Sequence, residues 1–547
     1  MVTGGPSGSG GLGSLLLPAF RDHRDLAAFT NWEGETITYG EAAARISRLR
    51  ALLRAAGVGP GDRVALLGRN ATNWALTYLA AVMHGAAVVP ILPDFRPDDV
   101  AHVLAHSGAS ILFAAPGLVS PVDTSGTAGL AATVSLHDFS VLRARKGTDA
   151  AALAVAFSAT PGPLAAEARG AQDVAAIVYT SGTTGFSKGV VLPHRSLVSN
   201  VLYARRNMPL VPAERICSFL PLAHAFGCAF EFLFPVSAGC HITFLDRTPS
   251  PAVLLKAFAE VKPRLILTVP LVLEKIWAKK LKPVLEKPAT KFLASIPGVR
   301  QILFGKVRDK LTDVFGSTFR EIVVGAAALN PEVERFFLEA GFRFTCGYGM
   351  TECGPLITYC GWKSHRFGSV GPVVDGLEMK IDSPDPRSVP GEVLVRGENV
   401  MLGYWNAPEA TAEVLSPDGW LRTGDLGTMD AEGHLTLRGR RKAMLLGASG
   451  QNVYPEEVEA VMNTLPLVGE SLLVDRAGKL VILAWPDPDA VSAEGLTREK
   501  VREEMEKNRR ELNRRLPVYS QPVRVEVVDE EFQKTPTRKI KRFLYGT

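Results

Sequence analysis

Residues 173–200 read DVAAIVYTSGTTGFSKGVVLPHRSLVSN, and the order of residue types in this stretch decides how the rest of the chain is read. Ala175–Tyr179 is a short apolar run with the pattern of a buried strand. It passes directly into Thr180, Ser181, Gly182, Thr183, Thr184 and Gly185 and then, after two further residues, Lys188. Hydroxyls, glycine-exposed amides and one ammonium group are what a chain needs to wrap a polyphosphate. Glycine lets the oxygens approach the backbone, and each charge-assisted hydrogen bond contributes about 1.5–3 kcal/mol. The spacing is not GxxxxGK[ST], because two residues separate Gly185 from Lys188 and Gly189 follows the lysine. The Walker type of nucleotide loop is therefore excluded.

Working outward, short apolar β-type runs alternate with helical patterns: RVALLG, ATNWALTYLAAVMHG, AAVVPIL, DDVAHVLAHSG and ASILFAA follow one another. That alternation predicts an α/β fold of βαβ units with mostly parallel sheets. Trp74–Pro93 contains no Asp, Glu, Lys or Arg. His84, Gly85, Pro90 and Pro93 nevertheless divide it into a helix-like and a strand-like piece, so it reads as a buried pair and not as a membrane span. An Ala/Gly/Pro-rich segment over 140–172 reads as a link between sheet regions. Near residue 390 the texture changes to short strands separated by glycine turns, a β-rich subdomain. Beyond Arg440 the chain becomes strongly charged, with Val501, Met505, Leu512 and Leu516 on one face of a helix. The expected organisation is a flexible leader over 1–14, a large domain over 15–439 and a small α+β domain over 440–547.

The chain has 547 residues, 46% hydrophobic and 21% charged, enough apolar material for several cores. Dominant disorder and collagen-like structure are excluded. Sixty-one Lys and Arg against 56 Asp and Glu leave a net charge of only +5, which gives no argument for a nucleic-acid partner. The six cysteines form no CxxC pair, a pattern of neither a disulfide framework nor a zinc site and one that suits a reducing, cytoplasmic compartment. The leader lacks a basic n-region, unlike a signal peptide. His102 and His106 have metal-ligand helical spacing but no accompanying glutamate motif, and they read as structural.

YTSGTTGFSKGVVLPH closely resembles the phosphate loop of the adenylate-forming superfamily of acyl-CoA synthetases, luciferases and peptide-synthetase adenylation domains. Ser187 stands where that family usually has proline. Other motifs of the superfamily follow in order. Gly325, Ala326 and Ala327 open GAAAL, which resembles the adenine-side loop. Gly347, Tyr348, Gly349, Met350, Thr351 and Glu352 form GYGMTE; the resemblance assigns the tyrosine to the adenine, Thr351 to phosphate and Glu352 to Mg²⁺ as its metal ligand. Asp425 in WLRTGD matches the ribose-binding aspartate, and Arg440 in GRRK matches the arginine that contacts ribose and phosphate. Lys442 falls at the hinge between domains. Gly450 corresponds to the glycine beside the CoA tunnel. KTPTRKIKR resembles the C-terminal catalytic motif, making Lys539 the catalytic lysine, with Arg538 in place of the usual glycine and Lys541 as the alternative register.

The resemblance implies a ligase that uses ATP and Mg²⁺ to convert a carboxylic acid to acyl-AMP and then transfers the acyl group to a thiol. A small mobile C-terminal domain would rotate between the two steps. SFLPLAHAFGCAFEFLFPVSAGCHITFL is similar to a segment of long-chain fatty acyl-CoA synthetases. It implies His224 between acid and nucleotide; Phe226, Phe230 and Phe234 recur at i, i+4 and i+8, a helical face that fits either the lining of an acyl pocket or a core helix. TVPLVLEKIWAKKL resembles another segment of that branch, with Leu271 in place of arginine. A fatty acid is the expected substrate, with another carboxylic acid or a non-catalytic lipid-binding scaffold as the alternatives. CoA and an acyl-carrier protein share the pantetheine arm, so both remain as acceptors. Chain length and oligomeric state are not encoded legibly, and a peripheral membrane contact is compatible with such a substrate.

Overall fold

The computed structural model describes residues 10–180, 188–247, 250–296, 298–446, 451–535 and 540–546. Parallel strands Val174–Thr180, Ala87–Ile91, Arg63–Leu67, Ile111–Ala114 and Ala132–Ser135 lie side by side in that order. Antiparallel strands close both edges, Lys188–Pro193 followed by Gly403–Tyr404 on one side and Val141–Ala144 on the other. Every residue of Ala87–Ile91 and Ile111–Ala114 is buried, as expected of parallel strands covered on both faces. The helix Thr72–Met83 is buried at every position except Asn73. The charge-free stretch is thus the interior of an α/β layer, and no helix among the described residues is long and apolar enough to cross a membrane.

A second sheet joins Arg215–Ser218, His241–Phe244, Ala27–Asn31 and Thr36–Thr38. A third, fully parallel, joins Leu265–Thr268, Glu321–Val324 and Phe344–Cys346. The glycine-punctuated region is the antiparallel sheet Leu377–Asp382, Gly391–Gly397, Leu421–Met429 and Leu435–Arg440. The apolar cluster containing these layers ends with Leu435. A separate cluster, with Val453, Met462, Ile482, Met505 and Leu512, packs the strands Val468–Asp475, Leu480–Pro486 and Arg524–Val527 under the helices Pro455–Met462 and Arg498–Arg515. Asn330 Nδ2 donates to the Ala460 carbonyl at 3.0 Å and Lys282 Nζ to the Thr464 carbonyl at 3.0 Å, tying the two portions together.

Two expectations need correction. Ordered structure begins before residue 15: the helix Leu12–Asp22 buries Leu12, Leu16, Ala19 and Phe20, and the Leu12 N–H donates to His194 Nδ1 at 3.0 Å. Gly13 and Pro18 lower local helix propensity, but burial of that apolar face overrides it. The 140–172 stretch is not a simple linker either. It contains the edge strand Val141–Ala144 and the helix Ala150–Ser158, whose N-cap Asp149 accepts from the Ala151 and Ala152 N–H groups.

Candidate active site

The strands Val174–Thr180 and Lys188–Pro193 pair so that Thr180 faces Lys188. Ser181, Gly182, Thr183, Thr184 and Gly185 lie outside the described residues. Lys188 Nζ sits 4.8 Å from the centre of the Tyr404 ring. Tyr404 reaches it because Gly403–Tyr404 pairs with Val190 and Val191 on the same sheet edge. Its hydroxyl donates to Glu352 Oε1 at 2.9 Å, while the Met401 N–H donates to the Glu352 carbonyl at 2.8 Å. Lys188 and Glu352 therefore meet across one tyrosine.

The parallel strands Glu321–Val324 and Phe344–Cys346 end side by side, with Val324 opposite Cys346. Their carboxyl ends lead into Gly325–Leu329 and Gly347–Glu352, the position where open α/β sheets bind ligands. The Gly325 N–H donates to the Thr268 carbonyl at 3.0 Å and the Gly347 N–H to the Val324 carbonyl at 2.9 Å. Gly349 is required by close approach: a Cβ there would lie 2.1 Å from the Pro355 carbonyl oxygen. Thr351 is buried in the turn Thr351–Cys353.

Tyr348 is buried, and its hydroxyl donates to Asp425 Oδ2 at 2.7 Å. Asp425 pairs in register with Arg440 across adjacent antiparallel strands, and Arg440 Nε lies 3.3 Å from Asp425 Oδ1. A carboxylate offers about four acceptor positions, so these partners leave capacity for further donors. Burial raises the pKa of Glu352; the Tyr404 hydrogen bond and the Arg440 charge oppose that rise, and the Asp425 charge adds to it. Glu352 thus lies within reach of the charges of both Arg440 and Asp425.

The segment before His224 is held by two buried side chains far apart in sequence. Glu231 Oε2 accepts the Phe219 and Leu220 N–H groups at 2.9 and 3.0 Å. Asn70 Nδ2 donates to the Leu220 carbonyl at 2.7 Å, and Asn70 Oδ1 accepts the Leu222 N–H at 3.0 Å. His224 then caps the following turn, its Nδ1 accepting the Phe226 N–H at 3.3 Å. An Nδ1 that accepts carries no proton, so a neutral ring holds its proton on Nε2. Burial pushes Glu231 well above the usual carboxylate range. The expected single helical face bearing Phe226, Phe230 and Phe234 is interrupted by π-helix over Cys228–Leu233, whose longer turn breaks the i+4 spacing. Phe226 and Phe230 still meet edge to face at 6.1 Å, whereas Phe230 and Phe234 are fully buried. Phe226 lies against Gly325: a Cβ on that glycine would come within 3.0 Å of the ring.

Lys442 is exposed in the turn Arg441–Ala443, immediately after the strand carrying Arg440. Gly450 and Lys539 lie outside the described residues; Lys534 and Ile540, on either side of Lys539, form an antiparallel bridge. Tyr404, Asn70 and Glu231 were not singled out from sequence. Glu231 did carry a signal, as the sole Asp, Glu, Lys or Arg between Ser218 and Leu245. His102 and His106 stack at 5.4 Å, and His106 Nδ1 shares a hydrogen bond with the Tyr179 hydroxyl at 2.8 Å.

Comparison with known proteins agrees with this geometry. Residues 19–405 match the AMP-binding enzyme family. The chain is 32% identical to a feruloyl-CoA synthase from Amycolatopsis sp over 433 residues, 78% of each chain. It is 31% identical to the long-chain-fatty-acid–CoA ligase FadD15 of Mycobacterium bovis over 486 residues, 83% of this chain and 78% of that one. The crystal structure of ATP-bound MatB from Rhodopseudomonas palustris superposes with a TM-score of 0.77 at 25% identity, covering 97% of this chain and 98% of MatB. The chain belongs to the AMP-binding enzyme family, among its adenylate-forming acid–CoA ligases.

Proposed function

We propose that this protein activates a medium- or long-chain fatty acid as its acyl-adenylate and transfers the acyl group to CoA. Adenylation is supported above all by the convergence of Lys188, Tyr404 and Glu352 with Tyr348, Asp425 and Arg440 at adjoining strand ends. The fatty-acid reading is supported by Phe226, at the head of the apolar His224–Phe234 segment, packed against Gly325 and by the likeness to FadD15. The likeness to feruloyl-CoA synthase favours a second reading, an aromatic acid.

In the first step a carboxylate oxygen attacks the α-phosphorus of ATP, the bond to the β-phosphate breaks and pyrophosphate leaves. Two anions must meet, and each like-charge contact near 4 Å costs about 4 kcal/mol at an effective dielectric of 20. Lys188 and the proposed catalytic Lys539 supply positive charge against that repulsion, and positioning does most of the remaining work. His224, with its proton on Nε2, is set to donate towards the acid carboxylate. Glu352 is the residue that would hold Mg²⁺; one half-buried carboxylate beside phosphate-binding groups fits a hard cation held mainly by substrate phosphate. When bound, Mg²⁺ supplies charge neutralisation to the phosphates.

In the second step the CoA thiolate attacks the acyl carbonyl, the bond to the AMP phosphate oxygen breaks and AMP leaves. Gly450 is assigned to the thiol path and Lys442 to the hinge that exchanges the two arrangements. Burying methylenes at roughly 0.8 kcal/mol each supplies affinity for an acyl chain. The test is pyrophosphate release across a panel of carboxylates, with and without CoA. Release with C12–C18 acids, completed to thioester by CoA, is expected; turnover confined to aromatic acids overturns the fatty-acid reading.

A further inference from the structure

Positive charge is unevenly spread along this chain. Residues 275–310 contain ten Lys or Arg against two Asp or Glu, a net of +8 in a chain whose total is +5, so everything else sums to −3. The same segment exposes large apolar side chains: Phe292 at 69%, Ile302 at 64%, Val284 at 48%, Leu293 at 44% and Ile296 at 37%. The helix Pro288–Ser295 has no buried residue among those described, and a helix of that length is marginal in water without packing. On the adjoining helix Val299–Val314, Ile302 shares a face with Lys306 and Lys310 at i, i+4 and i+8. Lys275, Lys287, Lys306 and Lys310 are exposed and make no ion pair among the described residues.

We propose that Val284–Lys310 is a docking surface for an anionic lipid bilayer. Exposed apolar side chains interspersed with lysine suit the boundary between headgroups and acyl chains, where apolar burial and attraction to acidic lipid act together. A second copy of the chain is disfavoured as occupant because it would set like charge against like charge, a net of +4 on each Val284–Lys310 surface. The segment is anchored next to the site. Trp277 and Phe304 pack against Phe336, tilted and edge to face, with ring centres 4.5 and 5.1 Å away, and Phe336 lies on the helix Pro331–Glu339 that follows the Gly325–Leu329 loop. Glu274 accepts the Asn330 N–H at the start of that helix at 3.0 Å. Docking here would set the active-site rim beside the bilayer, where an apolar acid partitions; that use rests on the fatty-acid reading, whereas the docking itself does not.

The test is flotation of the full chain with vesicles of phosphatidylcholine alone and of phosphatidylcholine with phosphatidylglycerol, at low and high salt. The expected result is at least about tenfold greater partitioning onto the anionic vesicles, weakened by salt. Lys287→Glu/Lys306→Glu/Lys310→Glu should lower that partitioning by at least about a hundredfold, and Phe292→Ser/Ile302→Ser by about tenfold, with thermal unfolding unchanged because all these side chains are exposed. Absence of vesicle binding, equal binding to neutral and anionic vesicles, or wild-type binding by the charge variant overturns the proposal. So does a dimer that these substitutions dissociate without any vesicle binding. No acid substrate enters the flotation, so vesicle binding is measured independently of whether the protein activates fatty acids.

Discussion

Tyr348 and Asp425, separated by 77 positions in sequence, are joined by a 2.7 Å hydrogen bond inside the site. The tyrosine thereby orients the carboxylate assigned to the ribose, while Arg440 holds its other oxygen. A hydrogen bond to a charged group is worth about 1.5–3 kcal/mol. Tyr348→Phe should therefore raise the KM for ATP by about 10- to 100-fold with the KM for the acid little changed, as read from pyrophosphate-release kinetics. An unaltered ATP KM would remove the link between this pair and nucleotide binding.

Glu352 and Tyr404 predict a pH effect with a definite sign. Burial raises the glutamate pKa and the Tyr404 hydroxyl opposes the rise. In the metal- and nucleotide-free protein, where this shift applies, the Glu352 carboxyl should therefore lose its charge at a pH above its ordinary value, a limb read by NMR titration. Tyr404→Phe removes a donor to the carboxylate and should move that limb to still higher pH; Glu352→Gln should abolish it along with most of the rate. A limb that stays in place in Tyr404→Phe would contradict the assignment.

Glu231 and Asn70 hold the chain that presents His224. Glu231→Gln keeps an acceptor for the Phe219 and Leu220 N–H groups, so near-normal kinetics are expected. Glu231→Leu leaves both buried donors unpaired, at about 1–3 kcal/mol each, and should lower kcat/KM for the acid by at least about tenfold while ATP binding is retained. Equal behaviour of the two variants would show that the carboxylate does not position the loop.

His194 links acid sensitivity to the N-terminal helix. Its Nδ1 accepts the Leu12 N–H, and burial lowers its pKa from 6.5 to about 4. The unfolded chain binds this proton below pH 6.5 and the folded chain does not until about pH 4. Stability is therefore complete above the first value and declines as pH falls through the window, by a total of about 3 kcal/mol. His194→Gln retains an acceptor but cannot titrate, so urea unfolding should lose that part of its slope between neutral and acid pH. An identical slope in the variant would exclude His194 as its source.

The proposed roles of Lys539 and Lys442 are separable by half-reaction. Lys539→Ala should reduce acyl-adenylate formation by at least about a hundredfold and largely spare thioester formation from supplied acyl-adenylate. Lys442→Pro should do the reverse, since a fixed φ obstructs a hinge. Equal loss in both half-reactions for Lys539→Ala would displace that lysine from its role.

Much of this site was legible in the sequence because its motifs are local. A strand running into TSGTTG, or EIVV running into GAAAL, encodes its own turn within a few residues, and their order along the chain led to an adenylate-forming family. The alternation of apolar runs likewise indicated parallel layers, since strands covered on both faces have little room for charge. Partners across the sheets were not legible. The Tyr404–Glu352, Asn70–Leu220, Glu231–Phe219 and Phe226–Gly325 contacts depend on strand order and on which helix covers which edge. Periodicity says that a side chain is buried but not what it meets, and the tertiary structure alone decided that meeting through crossovers that bring distant stretches to adjoining strand ends.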